Sequence, residues 1–154
     1  MELESSPVAV PQLLSEEPIL LIDTSYVSFY RYYATINWYK LSHQEEIISD
    51  TYKWFENAEF MDKFSKRYHD TIEKLQKKFK VPNGNCIFAK DCSRKDIWRT
   101  GLFPAYKAQR EINYALDTWQ GGAVLQYAHQ ELVPILCQDN GYYSISETGA
   151  EGDD

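Results

Sequence analysis

PILLID, Pro18 to Asp23, is a short unbroken apolar run opened by a proline and closed by an acid. A run of that length with no polar alternation predicts a strand buried on both faces of a parallel sheet. CIFAKD, Cys86 to Asp91, repeats the pattern after the Asn83-Gly84 turn, and YYSIS, Tyr142 to Ser146, offers a third strand after the turn Asp139-Asn140-Gly141. Between the strands lie stretches of helical character. Strands alternating with helices predict an α/β layer whose parallel strands are joined by crossovers.

The aromatic YVSFYRYYATINW predicts a helix from Ser25 to about Trp38, followed by helices over roughly Gln44 to Phe55 and Glu59 to Phe79. In the last of these Met61, Phe64, Tyr68, Ile72, Leu75 and Phe79 recur at steps of three or four, the spacing of a core-facing stripe. AVLQYAHQELVPILC predicts a helix to Cys137, kinked near Pro134, with a strand from Pro134 as the weaker alternative. Residues 1–17, with two prolines, several serines and four glutamates, are expected to be a mobile acidic leader, and 18–154 one domain.

Composition narrows the class. The chain has 154 residues, 44% hydrophobic and 15% aromatic, too apolar for disorder and large enough for a core. No apolar run approaches the roughly 20 residues of a bilayer span, and the acidic N-terminus lacks the features of a secretory signal, so an intracellular protein with no membrane contact is expected. Three cysteines, Cys86, Cys92 and Cys137, without a CxxC pair suggest neither a disulfide framework nor a zinc ribbon. The net charge of −7 excludes nonspecific coating of nucleic acid, which needs a broad basic surface. Locally the balance reverses: Lys90, Arg94, Lys95, Arg99, Lys107 and Arg110 face only Asp91 and Asp96 in one segment.

In open parallel sheets the carboxyl ends of the strands share one edge, where ligands bind. Asp23, Asp91 and the terminal group Glu151, Asp153 and Asp154 each follow a strand, so three distant segments are expected to bring acids to one rim. Each alone has an ordinary reading: an aspartate closing a strand is commonly a helix cap, and a terminal EGDD is commonly a solvated tail. Together they suggest a hard-cation site, because gathered carboxylates repel unless protons or cations compensate them. Glu151 and Asp154 would share a face if a helix starts there. In RKDIWRTGLFPAYKAQR the arginines, Arg94 and Arg99 among them, can fork onto phosphates, and Trp98 and Tyr106 offer faces for stacked bases. An exposed loop anchored by its aromatics is the plainer alternative.

ILLIDTSYVSFYRYYA (Ile19 to Ala34), IFAKDCSRKDIWRTGLFPAYKAQR (Ile87 to Arg110) and ETGAEGDD (Glu147 to Asp154) together resemble the 5'-3' exonuclease and flap endonuclease family. The resemblance is to its N-terminal resolvase-like half, as in phage 5'-nucleases and the 5'-nuclease domain of bacterial DNA polymerase I. The most specific correspondence is Asp91, then Trp98-Arg99, then PAYKAQR, with GAEGDD matching the family's G-x-E-A-D-D. The resemblance implies a PIN-like fold, a parallel sheet between helices, and metal-dependent hydrolysis of DNA, or RNA in hybrids, near 5' ends or flaps in replication and repair. It implies two Mg2+ or Mn2+ ions held by Asp23, Asp91, Glu151, Asp153 and Asp154. Arg31, Lys107 and Arg110 would bind or polarise the scissile phosphate, with Lys107 and Arg110 as the catalytic pair and Tyr106 stacking on an unpaired nucleotide. Thr24, Trp98, Ala105 and Gly152 depart from the family's usual glycine, phenylalanine, glutamate and alanine. The family's later segments, an aspartate pair on a further strand and a helix-hairpin-helix, have no counterpart here. The resemblance therefore implies a fragment or split half completed by a second polypeptide, with a noncatalytic nucleic-acid-binding or interaction module as the alternative.

Overall fold

The computed structural model describes residues 16–116 and 118–154. It is mixed α/β, a three-stranded parallel sheet flanked by helices. Strands β1 (Leu20–Asp23), β2 (Cys86–Lys90) and β3 (Tyr143–Ser146) lie in the order β1-β2-β3, with β2 central. Leu20 registers with Cys86 and Asp23 with Ala89, while Ile87 registers with Tyr143 and Lys90 with Ser146. All three strand ends therefore reach one edge, as expected. The expected acidic leader falls, for residues 1–15, outside the described residues.

The strands are not buried on both faces. Leu20, Ile22, Cys86 and Phe88 turn toward the core cluster, whereas the alternate residues Leu21, Tyr143 and Ile145 are exposed, Leu21 by 68%. Only β2 is well covered, with Cys86, Ile87 and Phe88 all buried.

Helix α1 runs Thr24–Ser42 and starts on a side-chain cap, Asp23 accepting from the Tyr26 amide at 2.9 Å. Its buried face is not aliphatic: Thr24, Ser28, Tyr32, Thr35 and Tyr39 pack inward. Two of the small hydroxyls are satisfied locally, Ser28 donating to the Thr24 carbonyl at 2.7 Å and Thr35 to that of Arg31 at 2.6 Å, while the buried Thr24 hydroxyl has no partner among the described residues. Helix α2, Ala58–Phe79, is capped by Asn57, which accepts from the Phe60 amide at 2.9 Å, and ends at Lys80 in the left-handed region with φ 55°. It buries Phe60, Phe64, Tyr68, Ile72 and Gln76. The stripe thus begins at Phe60 rather than Met61 and ends at Gln76, leaving Phe79 exposed. Burial of each large apolar side chain contributes about 1.5–3 kcal/mol.

The helix expected over Gln44 to Phe55 does not form. The segment is a run of turns ending in a short 3-10 turn, Trp54–Glu56, because its large side chains share no helical face: Trp54 is buried and Tyr52 packs on the core, while Ile47 is fully exposed.

After the short helices α3 (Trp98–Leu102) and α4 (Ala108–Tyr114), the chain forms α5 (Gly122–Tyr127), a π turn (Ala128–Leu132) and α6 (Val133–Asn140) as one continuous helical path. The wide turn falls where the ring of Pro134 would meet the carbonyl of the preceding turn, so the irregularity is a π turn just before the proline, and no strand starts there. Asp139 and Asn140 are the last helical residues, and Gly141 at φ 71° closes the helix.

Candidate functional site

A cleft of about 560 Å³ opens at the carboxyl edge of the sheet. Asp23, Asp91, Asp153 and Glu151 line it together with Arg94, Tyr106, Lys107 and Arg110. Three chain segments are brought together here as the acid-ended strands require.

Asp91 follows β2 and ties two of those segments together. Its Oδ2 accepts from the Ser25 hydroxyl at 2.7 Å and its Oδ1 from the Gly152 amide at 2.6 Å. The last residues are stitched alongside: the Cys92 amide donates to the Ala150 carbonyl and the Trp98 amide to the Gly149 carbonyl, each at 2.9 Å. The terminal acids are thus not a loose tail. They form a single turn, in which the Asp154 amide donates to the Glu151 carbonyl at 3.0 Å and Asp154 Oδ2 accepts from the Glu151 amide at 2.8 Å.

The carboxylates divide into two sets. Asp23, Asp91 and Asp153 are exposed at the cleft, Asp23 serving also as the cap of α1. Glu151 is buried and surrounded by donors: Lys107 Nζ at 2.6 Å, Arg99 Nη1 at 2.8 Å and the Tyr106 hydroxyl at 2.8 Å. Arg99 also grips Asp154 through both terminal nitrogens, while the Trp98 indole donates to the same carboxylate at 3.2 Å. The Arg99 guanidinium is sandwiched near the Trp98 ring (4.7 Å) and the Tyr106 ring (5.9 Å). Burial alone would raise the Glu151 carboxyl, but hydrogen bonds from Lys107, Tyr106 and Arg99 outweigh it and hold the group below its ordinary value. The contacts with Arg99 and the Glu151 amide lower Asp154 likewise.

Lys107 is placed by strained backbone: it caps α4 in the left-handed region, φ 52°. Its carbonyl accepts from Arg94 Nη2 at 2.5 Å, and Arg94 also pairs with Glu111 at 2.6 Å. Arg110 is exposed on the cleft wall. Arg31 is not on that wall. Its guanidinium lies 5.2 Å from the Tyr30 ring and 3.4 Å from the Thr71 hydroxyl of α2.

Asp23, Asp91 and Asp153 are hard oxygen donors of the kind magnesium takes in ones and twos with water. Glu151 and Asp154 are instead compensated by protein cations, and among the described residues no three His, Cys, Asp or Glu side chains converge into a metal cage. Ser25 and Gly152, which hold Asp91, carry no recognisable signal in the sequence beyond their closeness to acids, Ser25 two residues after Asp23 and Gly152 between Glu151 and Asp153. No family model, no curated protein and no solved structure matches this chain. Among the described residues no helix is long and apolar enough to cross a membrane.

Proposed function

We propose that the chain is the catalytic-cleft half of a metal-dependent 5'-3' exonuclease or flap endonuclease with a PIN-like fold, acting on DNA, or RNA in hybrids, at 5' ends or flaps. The observation that carries this reading is the meeting of three acid-bearing segments with a basic, aromatic wall in one cleft. Arg110 and Lys107 bind the scissile phosphate by charge, and Tyr106 supports the unpaired nucleotide. One or two of Asp23, Asp91 and Asp153, with water, would hold each Mg2+ or Mn2+ ion, which when bound supplies an activated water and stabilises the leaving oxygen. Because Lys107 and Arg99 are neutralised by Glu151, an incoming phosphate competes with that carboxylate for them.

Cleavage of a 5'-flap substrate with magnesium, by the chain alone and with a polypeptide supplying the family's downstream segments, tests the proposal. Cleavage abolished by Asp91→Ala is the expected result. No cleavage in either arm would defeat it. A second reading, a noncatalytic nucleic-acid-binding module, is favoured by the pairing of Glu151 and Asp154 with Arg99 and Lys107. Binding of the flap without cleavage in either arm is its signature.

A further inference from the structure

Next to the cleft, on the outer face of α1, lies a shallow groove of about 350 Å³ lined by Tyr26, Phe29, Tyr30, Tyr33, Ala34 and Asn37. Tyr26, Tyr30 and Tyr33 are 69%, 53% and 52% exposed. Steps of four and three residues put them on one helical face. Behind them Phe29 stacks on Tyr114 (6.0 Å) and Trp119 (5.6 Å), which gives the ladder a rigid backing.

We infer that this tyrosine ladder is a stacking track for the bases of a single-stranded nucleic acid running out of the cleft, an inference that rests on reading the cleft as a nucleic-acid site. Four observations select this occupant. Tyr26 and Phe29 line both the cleft and the groove, so the two surfaces are continuous. The groove is shallow and aromatic, without the aliphatic pockets into which a partner helix inserts anchors. Helix α1 carries Arg31 and Lys40 and no carboxylate, in a chain of net charge −7, and the Arg31 guanidinium lies 5.2 Å from the Tyr30 ring. Finally, the rings climb the axis by about 6 Å and about 4.5 Å. Those steps exceed the roughly 3.4 Å rise of a duplex strand, so they fit bases splayed apart and not a paired stack.

The test measures binding of a short oligothymidine and of an abasic oligonucleotide of equal length, in EDTA, by fluorescence anisotropy. Tyr30→Ala with Tyr33→Ala should weaken oligothymidine binding by about tenfold per ring removed and leave abasic binding unchanged. Tyr30→Phe with Tyr33→Phe should retain wild-type affinity, which separates stacking from loss of fold. Equal losses on both ligands, or none, would overturn the inference, as would a wild-type chain that binds neither. If the alanine pair instead dissolves a dimer in sedimentation velocity without touching oligothymidine affinity, the face joins two copies and the inference fails. The two readings separate cleanly: flap cleavage with base-independent binding removes the ladder alone, whereas base-dependent binding without cleavage under any condition removes the nuclease and keeps the ladder.

Discussion

The Lys107 ammonium lies 2.6 Å from Glu151 Oε1, so one of the cations lining the cleft is already occupied by the protein's own carboxylate. Glu151→Gln removes that charge while keeping its shape. Oligonucleotide binding in EDTA should tighten by several-fold, and the slope of log affinity against log salt should steepen by about one phosphate contact. Affinity that is unchanged or weaker would show that Lys107 and Arg99 do not serve the ligand.

Gly152 approaches β2 so closely that an added Cβ would lie 2.9 Å from the Ala89 carbonyl and 3.2 Å from Asp91 Oδ1. Gly152→Ala, which installs the residue the resembling family carries, should therefore displace the terminal turn and weaken the bond from the Gly152 amide to Asp91. A destabilisation of roughly 1–3 kcal/mol is expected by urea unfolding. A variant as stable as the wild type would mean that the turn yields without strain.

Buried hydroxyls set the alkaline limit. Burial pushes the Tyr68 and Tyr142 phenols up to about 12, against about 10 in an unfolded chain. Their contribution is complete below about pH 10 and is lost as the pH rises through about 12, at up to about 1.4 kcal/mol per pH unit for Tyr68 and less for Tyr142. Unfolding midpoints between those limits should fall accordingly, with a shallower decline in Tyr142→Phe. On the acid side the lowered carboxyls of Glu151 and Asp154 stabilise the fold above the ordinary carboxylate range, and this is lost as the pH falls below it.

Gln76 joins three pieces of the core: it accepts from the Tyr142 hydroxyl at 2.7 Å and donates to Asn83 Oδ1 at 2.8 Å and the Val81 carbonyl at 3.3 Å. Gln76→Ala should cost about 1–3 kcal/mol through the orphaned Tyr142 hydroxyl, on top of the lost packing. Adding Tyr142→Phe should recover part of that loss in a double-mutant cycle. Strictly additive effects would mean that the two side chains are not coupled.

What could be read in the sequence was what depends on local pattern. PILLID, CIFAKD and YYSIS, each bounded by turn signals, contain the three strands, whereas the equally apolar run from Pro134 is helical; Phe64, Tyr68 and Ile72 mark α2 by spacing. Gln76 broke the stripe because its burial depends on a hydroxyl that arrives from far along the chain. Helix α1 hides its inward face by lining it with Thr24, Ser28 and Thr35; the hydroxyls of Ser28 and Thr35 are cancelled by backbone bonds that no hydropathy pattern records, and that of Thr24 is buried without a partner among the described residues. The cleft followed the same division. Acids at strand ends were legible as a group, but Arg99 was read as a phosphate contact, and its commitment to Glu151 and Asp154 is a tertiary pairing without local trace.

Parallel strands also set how far apart in the chain the parts of the site lie. The bond from Ser25 to Asp91 spans 66 residues and that from Gly152 to Asp91 spans 61, so both ends of the cleft close long loops. The carboxylates of the cleft edge are therefore neighbours only in the folded chain, where Lys107 and Arg99 neutralise the terminal pair. The same ion pairs fasten the turn at Glu151 to Asp154 onto the segment that follows β2, so any change that frees Lys107 or Arg99 for a ligand also loosens that turn.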